Sequence, residues 1–115
     1  MESQFIDVTS TAYEAGFSCP VYLSEEVWDK CVEWGDDDSD RQGYQEEDAR
    51  LWDVLFVPAF KLSSGLGRIA PSGDMGYEIY CLIRDKGDTK SESDLIRLRV
   101  VPVETAKGNA VLISF

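Results

Sequence analysis

The sequence predicts an α+β domain with two principal helices packed on a three- to four-stranded antiparallel sheet. Three observations predict it. Apolar residues recur at steps of three and four in the first 60 residues, β-branched and aromatic runs fill the last 40, and the polar stretches between are rich in Gly, Pro, Ser and Asp. At 115 residues the chain has room for one core, so residues 1–115 are read as a single domain. A content of 43% hydrophobic and 11% aromatic residues is enough to fill that core.

Residues 5–8, Phe-Ile-Asp-Val, form a β-prone entry. Residues 9–15 have a helical look, and Gly16 suits a left-handed stop. Residues 20–23 are extended. Ser24 is then a good N-cap for a helix whose first turn carries Glu25 and Glu26, where the macrodipole favours negative charge. That helix is expected to run to Trp34, with Val27, Trp28, Cys31 and Trp34 on its apolar face, and Gly35 as its stop.

Residues 36–43 are so charged and so rich in turn formers that an exposed connection is expected. The second long helix carries Tyr44, Asp48, Leu51, Trp52, Leu55, Phe56, Ala59 and Phe60 as one mostly apolar stripe. Pro58 lacks a backbone donor, which predicts a kink or an early end near Val57. Residues 63–76 read as a long connection with a brief extended piece at 68–70. Strands are expected at 77–84, 95–103 and 110–115, joined by a hairpin around Lys86-Gly87-Asp88 and a turn at Lys107-Gly108-Asn109. Alternation puts Tyr77, Ile79, Cys81 and Ile83 on one face of the first strand. In the second, Ile96, Leu98 and Val100 oppose Arg97 and Arg99.

The chemistry is narrowed by what is missing. There is no histidine, which removes the commonest general base, the imidazole zinc ligands and every nucleophilic triad built on histidine. Eleven Lys and Arg against 22 Asp and Glu give a net charge of −11. Such a surface repels nucleic acid and anionic membrane, so a charged partner is expected to be basic, with no direct nucleic acid and no membrane contact. No apolar run approaches the roughly 20 residues that span a bilayer. Cys19, Cys31 and Cys81 are odd in number, without a CxxC pair, and follow no secretory leader, which fits a reducing cytoplasm. Cys31 and Cys81 read as small buried thiols.

The charge is local. Positions 25–48 hold eleven acids against Lys30 and Arg41, a segment sum of −9 that leaves −2 for all other residues. The candidate partner-binding residues are Glu25, Glu26, Asp29, Glu33, Asp36, Asp37, Asp38, Asp40, Glu46 and Glu47. They suit a surface that enters a positively charged nucleic-acid groove on another protein, with carboxylates where phosphates would lie. The open alternative is a small acidic housekeeping or metal-binding domain, whose acidic loop is a solvated face or a weak calcium site. Asp36, Asp38, Asp40 and Glu47 fall at positions one, three, five and twelve of an EF-hand loop, but Arg41 stands where the sharp turn needs Gly, so no metal or other cofactor is expected. Trp28, Trp34 and Trp52 lie on the apolar stripes and are expected in or at the edge of the core, with Trp52 packed on Ile79, Cys81 and Leu98. The glycines at 65 and 67 lack the Lys-Ser/Thr ending of a phosphate loop. Paired carboxylates for glycoside or proton-transfer work are plentiful, so an enzyme using carboxylates stays open as a third reading, but nothing in the sequence isolates an apolar setting that would raise one pKa.

Residues 11–17 (Thr-Ala-Tyr-Glu-Ala-Gly-Phe), Pro20-Val21, 27–34 and Arg50-Leu51-Trp52-Asp53-Val54-Leu55, with the strand segments at 80–85 and 98–103, resemble a family of short uncharacterised bacterial proteins also found on plasmids and phages. Members continue the second helix without a proline, so Pro58 is a departure. The family carries no assigned activity and implies no catalytic residue, but it implies a mobile-element setting. Together with the acidic segment, the expectation is a non-enzymatic binding protein that inhibits a nucleic-acid-handling host defence protein by nucleic-acid mimicry, of anti-CRISPR or anti-restriction type.

Overall fold

The computed structural model describes residues 5–64, 73–84, 93–106 and 108–115. The elements run β1 (Phe5–Asp7), α1 (Thr9–Ala15), β2 (Val21–Ser24), α2 (Glu25–Val27) continuing as a π-helical turn (Trp28–Val32), α3 (Asp36–Gln42), α4 (Glu47–Ser64), β3 (Met75–Cys81), β4 (Asp94–Thr105) and β5 (Gly108–Ser114). The α+β class is correct. The expected count is not, because four helical segments cover a five-stranded sheet of order β1-β2-β5-β4-β3.

β3, β4 and β5 form the expected antiparallel meander. The sheet is nevertheless mixed, since β2 lies parallel to β5 and carries β1 antiparallel on its outer side. The short extended pieces at the N-terminus read as entries because neither has a hairpin partner next to it in sequence. β1 pairs with β2 across α1, and β2 pairs with the last strand. Register aligns Ile6, Leu23, Ile113, Val100 and Met75 in one row across all five strands, all but Ile6 buried. Tyr77, Ile79 and Cys81 face inward while Gly76, Glu78 and Tyr80 face solvent, as alternation requires. Leu82, Ile83 and Arg84 have left the sheet, so β3 ends three residues before the expected end. The extended piece at 68–70, the hairpin turn at Lys86, Gly87 and Asp88, and Lys107 lie outside the described residues.

α1 ends as expected. Gly16 has φ +120°, its N–H reaches the Ala12 carbonyl at 3.1 Å, and a Cβ there would lie 3.7 Å from the Ala59 Cβ. Ser24 caps α2 by accepting from the Val27 N–H at 3.2 Å. The predicted helix to Trp34 instead widens at Trp28 into a π turn closed by Glu33 N–H to Trp28 C=O, and it stops at Val32.

Residues 36–43 are largely helical, which corrects the reading as a connection. Gly35 is the N-cap of α3 and not a stop, and three Asp occupy the first turn, where the helix dipole favours them. The inward face of α3 is polar, consisting of Asp38 and Gln42. An apolar periodicity search has nothing to detect there.

α4 runs through Pro58 to Ser64. Proline leaves the carbonyl four residues back without its helical donor. That carbonyl belongs to Val54, and the buried Tyr77 hydroxyl of β3 donates to it at 2.9 Å. The sheet thus replaces the hydrogen bond that Pro58 removes. The core face of α4 is Leu51, Val54, Leu55, Pro58 and Ala59. Trp52 is not on it. The expected packing of Trp52 against Ile79, Cys81 and Leu98 is therefore incorrect, and its ring stacks on Phe56 at 5.9 Å. The apolar arc of α4 is wider than the sheet can cover, so one row is buried and the next is left outside. Trp34 is buried and Trp28 half-buried against the core, as expected. Among the described residues, no helix is long and apolar enough to cross a membrane.

Candidate functional site

The acidic segment is carried by α2, the π turn, α3 and the start of α4. Two arginines from elsewhere in the sequence hold these elements together. Arg50, on the first turns of α4, is buried. Its Nε donates to Val32 C=O at 3.0 Å, Nη1 to Leu82 C=O at 2.8 Å and Nη2 to Lys30 C=O at 3.0 Å. The π turn and the end of β3 each leave carbonyls without helix or sheet donors, and one guanidinium satisfies them. Its plane sits 4.3 Å over the Trp34 ring. Burial lowers the Arg50 pKa from its ordinary value, and it stays charged because an arginine starts so high.

Arg84, just past β3, supplies the counter-charge. Nη1 reaches Asp29 at 2.8 Å and Glu33 at 2.6 Å, while Nε reaches Asp38 at 3.1 Å. Lys30 C=O also accepts the Arg84 N–H at 3.0 Å, which fixes the residue to the π turn. Asp38 is only 3% exposed. Burial alone would raise its pKa, but the Gly35 N–H at 2.8 Å and the charges of Arg84 and Arg41 outweigh that and hold it below the usual carboxylate range.

The ten candidate acids therefore divide. Asp38 is an internal ion-pair partner and no part of a contact surface, which corrects its assignment. Asp29 and Glu33 remain partly open but are tethered to Arg84. Glu47 accepts from the Trp34 N–H at 3.3 Å and Glu46 from the Tyr44 hydroxyl at 3.0 Å, and both stay exposed. Glu25, Glu26, Asp36, Asp37 and Asp40 are exposed. Asp36, Glu46, Glu47 and Asp48, together with Trp34 and Ser39, line an open depression of about 500 Å³ between α3 and α4. Within its lining the Trp34 Nε1–H donates to Ser39 Oγ at 3.1 Å.

The EF-hand alternative does not survive this geometry. The supposed loop is helical over Asp36–Gln42, and the carboxylate of Asp38 is engaged by Gly35, Arg41 and Arg84. Where three carboxylates converge, the cation between them is Arg84.

The cysteines are free thiols. Cys31 and Cys81 are buried, with the Cys81 S–H 3.8 Å from the Cys31 carbonyl. The contact with the Cys81 sulfur and burial push the Cys31 thiol far up, so it is protonated and unreactive at neutral pH. Sequence reading did not find Arg50 or Arg84, and no local pattern points to either. Their partners lie 18 to 55 residues away. Comparison with known proteins finds no matching family model, no matching curated protein and no matching solved structure.

Proposed function

We propose that this chain is a non-enzymatic acidic binding protein of mobile-element origin, acting in the cytoplasm, that occupies the nucleic-acid groove of a host defence protein of restriction or CRISPR type. The observation that carries this reading is that the exposed carboxylates of Glu25, Glu26, Asp36, Asp37, Asp40 and Glu47 stand on helices joined by Arg50 and Arg84, with Glu46 directly before α4. A groove that binds a duplex is preorganised for negative charge at fixed spacing, and a rigid acidic surface meets it without the ordering cost that a mobile loop would incur. The resemblance to short plasmid and phage proteins supplies the biological setting. The mimicry needs no reaction, in keeping with a chain that has no histidine.

The test is a displacement assay. Purified restriction and CRISPR nucleases are each loaded with a fluorescent duplex and titrated with this protein. The reading expects release of the duplex from at least one enzyme, with protein and duplex mutually exclusive. A ternary complex that retains the duplex, or no displacement from any enzyme in the panel, contradicts it and favours the acids as a solvated face.

A further inference from the structure

Beyond the core-facing row, α4 presents a second apolar row that the fold does not use. Trp52, Phe56 and Phe60, four residues apart, remain 38%, 45% and 51% exposed, and none belongs to the buried core cluster. Their rings form a regular ladder, with centroids 5.9 and 6.0 Å apart and 23° between successive planes. The row continues the acidic surface directly. Asp48 is one turn before Trp52 on the same face, Asp53 flanks it, and both are exposed.

We infer that this ladder, edged by Asp48 and Asp53, is a docking strip for an arginine-bearing helical segment of a basic protein partner. The inference rests on the proposed acidic-face function and adds an apolar anchor to it. Charge chooses the occupant. Nucleic acid would also stack on aromatic rings, but the flanking carboxylates and the net −11 repel its phosphates. A second copy of the chain brings the same negative charge to the strip. A guanidinium satisfies both features at once, because it is planar, stacks on π faces and pairs with carboxylates in the same plane. The spacing also fits. Four residues of helix rise about 6 Å, so a partner helix with Arg at every fourth position repeats at the interval of the ladder. Exposed cation–π contacts are weak singly, and three in register give a useful preference. Trp and Arg are also the residues that most often dominate protein interfaces.

The probes are three alanine-based helical peptides of equal length, bearing three Arg, three Lys or three Glu at every fourth position, titrated calorimetrically against the full chain at two salt concentrations. The parent is expected to bind the Arg peptide about tenfold more tightly than the Lys peptide and the Glu peptide not at all. The combined variant Trp52→Leu, Phe56→Leu, Phe60→Leu keeps apolar surface but removes the π faces. It should bind Arg and Lys peptides equally. The single variant Phe56→Leu should lose part of the preference, which guards against a folding defect in the triple variant. Charge reversal at Asp36, Asp37 and Asp40 should weaken both cationic peptides alike and leave the Arg preference intact. Equal binding of Arg and Lys by the parent, an Arg preference that survives the triple variant, or a parent dimer in sedimentation that the triple variant dissolves would each overturn the inference. If charge reversal at Asp36, Asp37 and Asp40 leaves both cationic affinities unchanged while the Arg preference persists, the acidic-face reading fails and the ladder stands.

Discussion

Tyr77 and Pro58 show how one residue makes another tolerable. The carbonyl of Val54 loses its helical donor to Pro58 and regains one from the Tyr77 hydroxyl. Tyr77→Phe should cost about 1–3 kcal/mol, because it strands a buried carbonyl. In a Pro58→Ala background the amide of residue 58 can take that carbonyl, so the same Tyr77→Phe change should cost clearly less. Equal losses in both backgrounds, by chemical denaturation, would show that the two residues are not coupled. Arg50 is the other residue on which local order depends. Arg50→Met removes three charge-assisted bonds to the carbonyls of Lys30, Val32 and Leu82 and should destabilise by at least about 1.5–3 kcal/mol, the worth of one such bond. Trp52→Ala, by contrast, removes a ring that is 38% exposed and outside the core cluster. By chemical denaturation it should cost clearly less than the roughly 3–5 kcal/mol of a fully buried tryptophan.

At the scale of elements, α3 depends on Asp38 for both its N-terminal cap and its docking onto Arg84. Its folded pKa lies below the unfolded value near 3.9, so its contribution is complete above that value and is lost as the pH falls through the folded pKa. The parent should therefore lose stability on acidification below about pH 4, and Asp38→Asn should be less stable at neutral pH with a shallower acid limb. Identical pH–stability curves for the two proteins would remove Asp38 from this role. The same helix marks what the sequence conceals. The meander, α1 with its glycine stop and the inward faces of β3 and β4 were legible because each is a local pattern of turn residues and alternation. α3 was not, because its inward residues are Asp38 and Gln42, made tolerable by Arg84 and by the Ile83 carbonyl more than 40 residues away. The parallel pairing of β2 with β5 was equally hidden, since parallel partners are distant in sequence and leave no turn signature. On α4, period alone merged the Leu51, Leu55 and Ala59 row with the Trp52, Phe56 and Phe60 row. Only the sheet decides which of them is buried.

Across the whole molecule, charge is segregated. Most acids of positions 25–48 lie on helices, while Arg97 and Arg99 stand on the open face of the sheet beside Glu78 and Asp74. Among the described residues, the helical segments are thus strongly negative, whereas Arg97 and Arg99 pair with Glu78 and Asp74 on the sheet. The acidic composition was plain in the sequence, but which carboxylates are available was not, since that depends on where Arg84 lands. Asp38 drops out, whereas Asp36, Asp37 and Asp40 remain outside on the same helix. Asp37→Ala should change stability by less than about 0.5 kcal/mol, so these positions can be altered to probe binding without disturbing the fold. The most direct measurement is the salt dependence of binding to a nuclease identified by displacement, for the parent and for Asp36→Lys, Asp37→Lys, Asp40→Lys combined. A surface that replaces phosphates predicts affinity that falls steeply with rising salt in the parent, and a variant that stays folded but loses binding and most of the salt slope. A folded triple variant that binds as tightly as the parent, with the same slope, would contradict the account.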